Sequence, residues 1–196
     1  MDKFLKVERL PIGKQGQIGR HLMSQHEMHL LLTGKVVIEE KLNGKTVGTM
    51  QRPGHTIYGE YLALKHSIVY DALPAWIVAF DVYDHNAGRF LDRKAKLQVL
   101  ETVGVPCVPL IYEGEIKTVD ELIALLDRQS AFSTKSRIEG IVIKNYPIQL
   151  MGKVVSYEFL TGIEKHWTKS AIVRNKFRSP STASPLALSL IGWNNA

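Results

Sequence analysis

The sequence predicts an α+β domain built on antiparallel sheets. Three observations carry that expectation. Strand-like runs at residues 36–42, 76–83, 138–144 and 153–159 are mixed with only two stretches of helical spacing, at 91–103 and 119–126. These do not alternate as a series of βαβ units would, which disfavours a doubly wound parallel sheet. Asn43-Gly44 stands between strand-like runs, a pair that tolerates positive φ at both turn positions, and predicts a hairpin.

Taken in order, residues 1–34 are mixed in character. Gly13, Gly16 and Gly19 match neither a phosphate loop nor a dinucleotide fingerprint and predict a flexible loop. His26 and His29 stand one residue short of the zinc-protease spacing, and with a single cysteine no structural zinc site assembles. Val36 to Leu42 reads as a strand, continued by Lys45 to Gly48 beyond the turn, and Ile57 to Leu64 as a strand or a helix start. Trp76 to Tyr83 is β-rich and ends at the turn-forming Asp84-His85-Asn86. Leu91, Ala95, Leu97, Leu100 and Val103 recur at helical spacing. Pro106 and Pro109 interrupt the apolar run from Val105 to Ile111, which predicts an edge strand. Val119 to Leu126 predicts an amphipathic helix with Thr118 as N-cap and Glu121 three residues on. Residues 129–137 read as a loop, and Ile138 to Lys144 and Lys153 to Phe159 as strands. The Ser/Pro-rich composition after Phe177 predicts a domain over 1–178 and a short tail over 179–196, with no OB-fold or separate C-terminal domain.

Composition narrows the function classes. At 196 residues, 45% hydrophobic and 22% charged, the chain has ordinary globular composition, which excludes disorder, collagen and coiled coil as its main state. No apolar run approaches the ~18–20 residues of a membrane span, and the N-terminus lacks the apolar region of a signal peptide. The lone Cys107 closes no intrachain disulfide and predicts a reducing, cytoplasmic compartment. A net charge of +6 favours a polyanionic partner.

Four segments carry the residue types that do chemistry. They are Glu39-Glu40-Lys41-Leu42-Asn43-Gly44, Tyr58-Gly59-Glu60-Tyr61-Leu62, Ala79-Phe80-Asp81-Val82-Tyr83, and Ile138-Glu139-Gly140-Ile141-Val142-Ile143-Lys144, the last followed by Gly152-Lys153-Val154-Val155. Period-two alternation sets Val37, Glu39 and Lys41 on one strand face and Val36, Ile38 and Glu40 on the other. For Lys41 to act as a nucleophile its amine must be neutral; lowering its pKa from about 10.4 to about 8 takes roughly 3 kcal/mol against the charged form. Burial and neighbouring cations supply that, with Lys144 and Lys153 as candidates and a divalent metal adding to them. Glu60 and Glu139 adjoin glycines, where a ligand can approach the backbone. Carboxylates hold Mg²⁺ or ribose hydroxyls, and lysines hold phosphates.

The order of these segments resembles the covalent nucleotidyltransferase superfamily of polynucleotide ligases and mRNA capping enzymes. The text between them, Lys65-His66-Ser67-Ile68-Val69-Tyr70 and then Leu73-Pro74, is similar to the ATP-dependent RNA ligase family, in the branch related to the phage T4 RNA ligase 2; the resemblance covers about residues 34–170. It implies a nucleotidyltransferase (adenylation) domain of two packed, mostly antiparallel sheets with flanking helices and an ATP cleft between them. It also implies RNA as partner, ATP as AMP donor and Mg²⁺ or Mn²⁺ as metal. Lys41 would form a lysyl–AMP bond, Glu40 contact adenine, Glu60 bind ribose hydroxyls or metal, Phe80 stack on the base, Glu139 hold the metal, and Lys144 and Lys153 face phosphate. Asn43 and Gly44 complete the nucleophile's motif, and Arg52 is the candidate for a basic residue that the family places in that interval.

Three features depart from the pattern. Asn43 stands where DNA ligases often have aspartate. Val155 stands where the last motif has a second lysine, for which Lys169, Arg174 or Lys176 could substitute. Strand alternation puts Glu139 and Lys144 on opposite faces unless a bulge intervenes. The alternatives are a minimal ATP-dependent DNA ligase and a nucleic-acid-binding pseudoenzyme; lack of an OB-fold disfavours a capping guanylyltransferase. The basic stretch Lys165, Lys169, Arg174, Lys176 and Arg178, interleaved with Trp167 and Phe177, is the candidate surface for a nucleic-acid strand.

Overall fold

The computed structural model of the chain describes residue 4 and residues 6–14, 21–163 and 173–178, without the side chains of 49–52 and 162–163. In chain order the elements are β1 (Glu8–Arg9), α1 (Gln25–Leu31), β2 (Lys35–Lys41), β3 (Lys45–Arg52), β4 (His55–Tyr61), β5 (Ile77–Asp84), β6 (Arg89–Phe90), α2 (Arg93–Thr102), β7 (Leu110–Glu115), α3 (Val119–Ala124), β8 (Gly140–Asn145), β9 (Leu150–Val155) and α4 (Tyr157–Ile163). One sheet has the order β1-β9-β8-β2-β7 and the other β3-β4-β5-β6. Every pairing is antiparallel except β1 with β9, so the α+β class with two mostly antiparallel sheets holds.

The alternation read in β2 divides the first sheet into two faces. Val36 and Ile38 pack with Ile141 and Ile143 of β8, Leu10, Leu31 of α1 and Leu122 of α3 in one core. The opposite face carries Val37, Glu39 and Lys41, set against Lys144, Val142 and Gly140 of β8. In the second sheet, Ile57, Ala79 and Val82 pack on Val99 and Leu100 of α2. A third cluster, Leu42, Leu62, Ile68, Tyr70, Leu73, Val78 and Val108, fills the region where the chain passes between sheets.

Helix starts follow local capping chemistry. Ser24 and Glu27 close a capping box on α1, and Asp92 accepts the Ala95 N–H at 2.8 Å to start α2. Thr118 accepts the Glu121 N–H at 3.1 Å, as expected for α3, while the Glu121 carboxylate reaches the N–H of Lys117 instead of the cap residue's own.

The structure corrects several expectations. Asn43-Gly44 is not a hairpin: β2 pairs with β7 and β8, whereas β3 pairs with β4 in the other sheet. Neither residue has positive φ, and the Asn43 N–H donates to the Tyr70 hydroxyl at 2.9 Å. A Cβ on Gly44 would lie 2.5 Å from the Tyr61 carbonyl oxygen, so this glycine lets the chain leaving β2 enter β3 hard against the end of β4. The hairpin lies one strand later, at Pro53-Gly54 between β3 and β4, where Gly54 has φ +82°. Ile57 to Leu64 resolves as β4 up to Tyr61. The strand expected at 105–111 begins at Leu110; it is an edge strand, and the proline-bearing lead-in instead bridges β5 at Ala79–Cys107. The run expected from Lys153 to Phe159 stops at Val155, and α4 follows. His26 and His29 lie on α1, within the mixed stretch 1–34, and Gly16, Gly19 and the expected tail 179–196 lie outside the described residues.

Gly44→Ala therefore tests the crossover. The added methyl meets backbone, which cannot swing aside, and stability falls by about 1–3 kcal/mol. Urea melts of the two proteins check this, and an unchanged midpoint would refute the tight approach.

Candidate active site

A cleft of about 550 Å³ opens between the polar face of the first sheet and β3, β4 and β5 of the second. Lys41, the last residue of β2, is half-buried on its rim. Its ammonium pairs with the Glu139 carboxylate at 2.5 Å. Glu139 immediately precedes β8, whose first residue, Gly140, lies opposite Lys41. It is not bound by the strand's alternation, so Glu139 reaches Lys41 and Lys144 lines the cleft without the bulge that strand alternation predicts.

Glu60, on β4, accepts the Thr46 hydroxyl through Oε1 at 2.9 Å. Its Oε2 and the Oε2 of Glu139 are both buried with no hydrogen-bond partner among the described residues. Burial pushes the Glu60 carboxyl above the ordinary range, and the Glu139 charge adds to this against Thr46 and Lys41. Glu40, on the other side of β2, accepts from the Ser130 hydroxyl at 2.5 Å and the Ala131 N–H at 3.1 Å, and burial raises its pKa also. Phe80 lines the cleft, with the ring of Phe4 set edge-on to it at 4.8 Å between centroids.

The two lysines expected to face phosphate separate. Lys153, on β9, lines the cleft, and its ammonium has no hydrogen bond or ion pair among the described residues; burial, and then the charges of Lys41 and Arg9, lower its pKa. Lys144 also lines the cleft, but its ammonium is taken up by the protein's own acceptors. Its ammonium meets the Phe80 carbonyl at 2.7 Å, Asp81 Oδ1 at 2.8 Å and Glu39 Oε2 at 2.8 Å. Those acceptors use all the donors an ammonium has. The substitutes considered for the lysine missing at Val155 also fail to reach the cleft: Arg174 and Lys176 are exposed on another surface, and Lys169 lies outside the described residues. Lys6, from the mixed N-terminal stretch, lines the cleft instead and adds its charge beside Lys153. The Arg52 side chain lies outside the described residues; its backbone pairs with His55 at the far end of β3.

Lys144 belongs to a charged cluster under the cleft that sequence reading missed. Glu39 receives Lys96 at 2.7 and 2.9 Å as well as Lys144, and Arg93 pairs with it from the start of α2. Lys96 is 0% exposed and also donates to the Phe80 carbonyl at 2.7 Å. Burial alone would raise Glu39, but Lys144 and Lys96 outweigh it and hold the carboxyl at about 2. Burial pulls Lys144 down, but Asp81 and Glu39 outweigh it and keep the ammonium charged well above the ordinary lysine range. A sequence signal for Lys96 did exist. The buried stripe of α2 is Lys96, Val99, Leu100 with Val103 beyond, whereas Leu97, counted as part of the stripe, is 39% exposed. A lysine in an apolar stripe points to a buried counter-ion.

Glu39 has its pKa lowered from 4.5 to about 2, so its contribution to stability is complete above pH 4.5 and is lost as pH falls toward 2. The size is on the order of 3 kcal/mol. Glu39→Gln leaves buried cations without this anion; we expect a loss of about 3–5 kcal/mol at neutral pH and a flatter acid limb. Urea melts across pH check both, and equal acid limbs would show that another group carries the dependence.

Residues 48–155, more than half of the chain, match the family described as RNA ligase. No curated protein matches the sequence. Among solved structures, the chain is similar to an archaeal ATP-dependent RNA ligase at TM-score 0.59 and 18% identity, covering 81% of this chain and 49% of that one. It is similar to a Naegleria gruberi RNA ligase variant with ATP and Mn at TM-score 0.56 and 15% identity, covering 72% of this chain and 54% of that one. The chain thus spans about half the length of these structures, and at such identities the likeness shows a shared fold. The family match begins after Lys41, so it covers Glu60, Phe80, Glu139 and Lys153 but not the residues at the end of β2. On that match, over a scaffold of the same architecture, the chain belongs to the RNA ligase family.

Proposed function

We propose that the chain is an ATP-dependent RNA ligase that joins 5′-phosphate and 3′-hydroxyl ends, with Lys41 as its nucleophile. The observation that carries this reading is the Lys41–Glu139 pair at 2.5 Å, on the rim of a cleft that also holds Glu60. The Lys41 amine, freed of one proton, attacks the α-phosphorus of ATP. A nitrogen–phosphorus bond forms, the oxygen bridge to the β-phosphate breaks, and pyrophosphate leaves. The AMP then passes to the 5′-phosphate of an RNA strand, which frees Lys41. The 3′-hydroxyl attacks that phosphate and AMP departs as the phosphodiester forms.

This chain's residues divide the work. Phe80 offers a ring face to the base, Glu40 a buried carboxylate at the same end, and Glu60 an acceptor to a ribose hydroxyl. Lys153 and Lys6 offer charge to the phosphates, where developing negative charge makes electrostatic stabilisation the main catalytic device. Lys144 acts one layer below, holding the Phe80 carbonyl and Glu39 in place. The unpartnered Oε2 atoms of Glu60 and Glu139 fit a divalent cation, which takes oxygen ligands and keeps several waters. Glu60 and Glu139 would hold such a metal, which would supply positive charge to the phosphates. With a single thiol and no disulfide partner for it, we place the activity in the reducing cytosol.

Intact mass after incubation with ATP and Mg²⁺ tests the reading. The parent gains one AMP and Lys41→Ala gains none. A melt of the variant separates this from unfolding, since the buried Glu139 loses its partner at a cost of about 1–3 kcal/mol. An adduct retained on Lys41→Ala would move the nucleophile elsewhere. Glu139→Ala should slow adenylation about 100-fold or more and raise the Mg²⁺ needed for half-maximal rate. An unchanged Mg²⁺ dependence would remove Glu139 from the metal site.

A further inference from the structure

The last described segment, 173–178, is laced along the chain between residues 62 and 73. Its backbone exchanges hydrogen bonds with Ala63, Lys65, Tyr70 and Leu73, and bridges join Leu64 to Arg174 and Leu73 to Phe177. The segment alternates as an extended strand does. Asn175 is buried and the Phe177 ring lies 4.0 Å from that of Trp76, while Arg174, Lys176 and Arg178 are all exposed. None of the three has an ion pair among the described residues. The neighbouring carboxylate of Asp71 is taken up by the Thr134 N–H at 2.7 Å and by its hydroxyl.

Two features connect this row to the nucleophile. Asn175 accepts the Tyr70 N–H at 2.9 Å and donates to the Leu62 carbonyl at 2.8 Å, and the Tyr70 hydroxyl accepts the Asn43 N–H at 2.9 Å, two residues beyond Lys41. The Arg174 end adjoins Leu64, just past the Tyr61 carbonyl and the Leu62 side chain against which Gly44 closes. Exposed Tyr61 and Leu64 lie along the same path.

We infer that Arg174, Lys176 and Arg178 form a rigid cationic rail that holds the phosphate backbone of the RNA strand whose end is delivered to Lys41. The inference rests on the RNA ligase reading above. The rail is presented by backbone bonds and by Asn175 and Phe177, so its cations are held in one row before the strand arrives. Positive charge in such a row, with no internal acid pairing it, complements a polyanion and not an acidic side chain cluster of irregular spacing.

The test compares the parent with Arg174→Ala/Lys176→Ala/Arg178→Ala, and with Arg174→Lys/Arg178→Lys. Binding of a 5′-phosphorylated RNA oligonucleotide is followed by fluorescence anisotropy from about 50 to 200 mM salt, and adenylation by intact mass. The rail requires the Ala variant to bind about tenfold or more weakly at low salt, with a salt slope flatter by about 2, since each single-strand phosphate contact contributes about 0.7. The Lys variant, which keeps the charge, should bind close to the parent. Adenylation and thermal melting should be kept in both, because the changed side chains point to solvent. Equal affinity and slope in parent and Ala variant would overturn the rail. So would loss of polyglutamate binding with RNA binding intact, which would mark a dock for an acidic protein. A cooperative loss of folding in the Ala variant together with weak binding by the Lys variant would also overturn it, by assigning the segment a packing role only. Failure of the parent itself to form an adenylate would strike the ligase reading instead, and leaves the RNA-binding comparison standing as its own result.

Discussion

The position of one sheet on the other depends on the anion of Glu39. Apolar packing brings the two sheets together but is non-directional, and sheet faces of similar shape can slide on it. Glu39 on β2 meets Lys144 from β8, and Lys96 and Arg93 from α2; the two lysines converge on the Phe80 carbonyl of β5. Each of these bonds has a narrow geometry, so together they admit one placement of β5 over β2. Cores of this kind gain little stability over an apolar isostere, because desolvation offsets most of the Coulomb attraction. What they contribute here is position: the carbonyl that both lysines grip belongs to Phe80, whose ring walls the cleft.

The same cluster explains a division of labour between lysines of similar appearance in sequence. Lys144 and Lys153 both sit at inward positions of strands in the first sheet. Lys144 has its acceptors supplied by the protein and is spent on architecture. Lys153 has none among the described residues and keeps its donors for a ligand. A motif can name a lysine as important without saying which of these roles it has, because the difference lies in residues from other elements.

The legible part of the fold was the part with local causes. The β2, β5 and β8 strands, the start of α3 at Thr118 and the helix of α2 each rest on period, capping or composition within a few residues, and all stand, although the buried stripe of α2 takes in Lys96 and leaves Leu97 exposed. The errors came where a local signal had a distant cause. Asn43-Gly44 has the composition of a tight turn, but its glycine answers to the backbone of Tyr61, 17 residues on, at the end of β4. The run after Lys153 carries β-favouring residues, yet the sheet ends at Val155 and α4 takes over. At the site, the ordered motifs named Lys41, Glu60 and Phe80, which line one cleft, and Glu139, which pairs with Lys41 there. Phe4 and Lys6 were not, since nothing local marks a segment that gains its place only by β1 pairing with β9. Positive charge that the last motif lacks at Val155 thus enters the cleft from the opposite end of the chain.

The lacing of residues 173–178 also sets an order of assembly. Asn175 and Tyr70 are separated by 105 residues, and Tyr70 in turn anchors the backbone after Lys41. A ribosome delivers Lys41 early and Asn175 late, and contacts of such sequence separation close slowly because loop entropy must be overcome first. The nascent polypeptide therefore carries Lys41 without the Asn175 end of this brace until residue 175 has been made. The support behind Lys41 is thus among the late contacts of the fold to close.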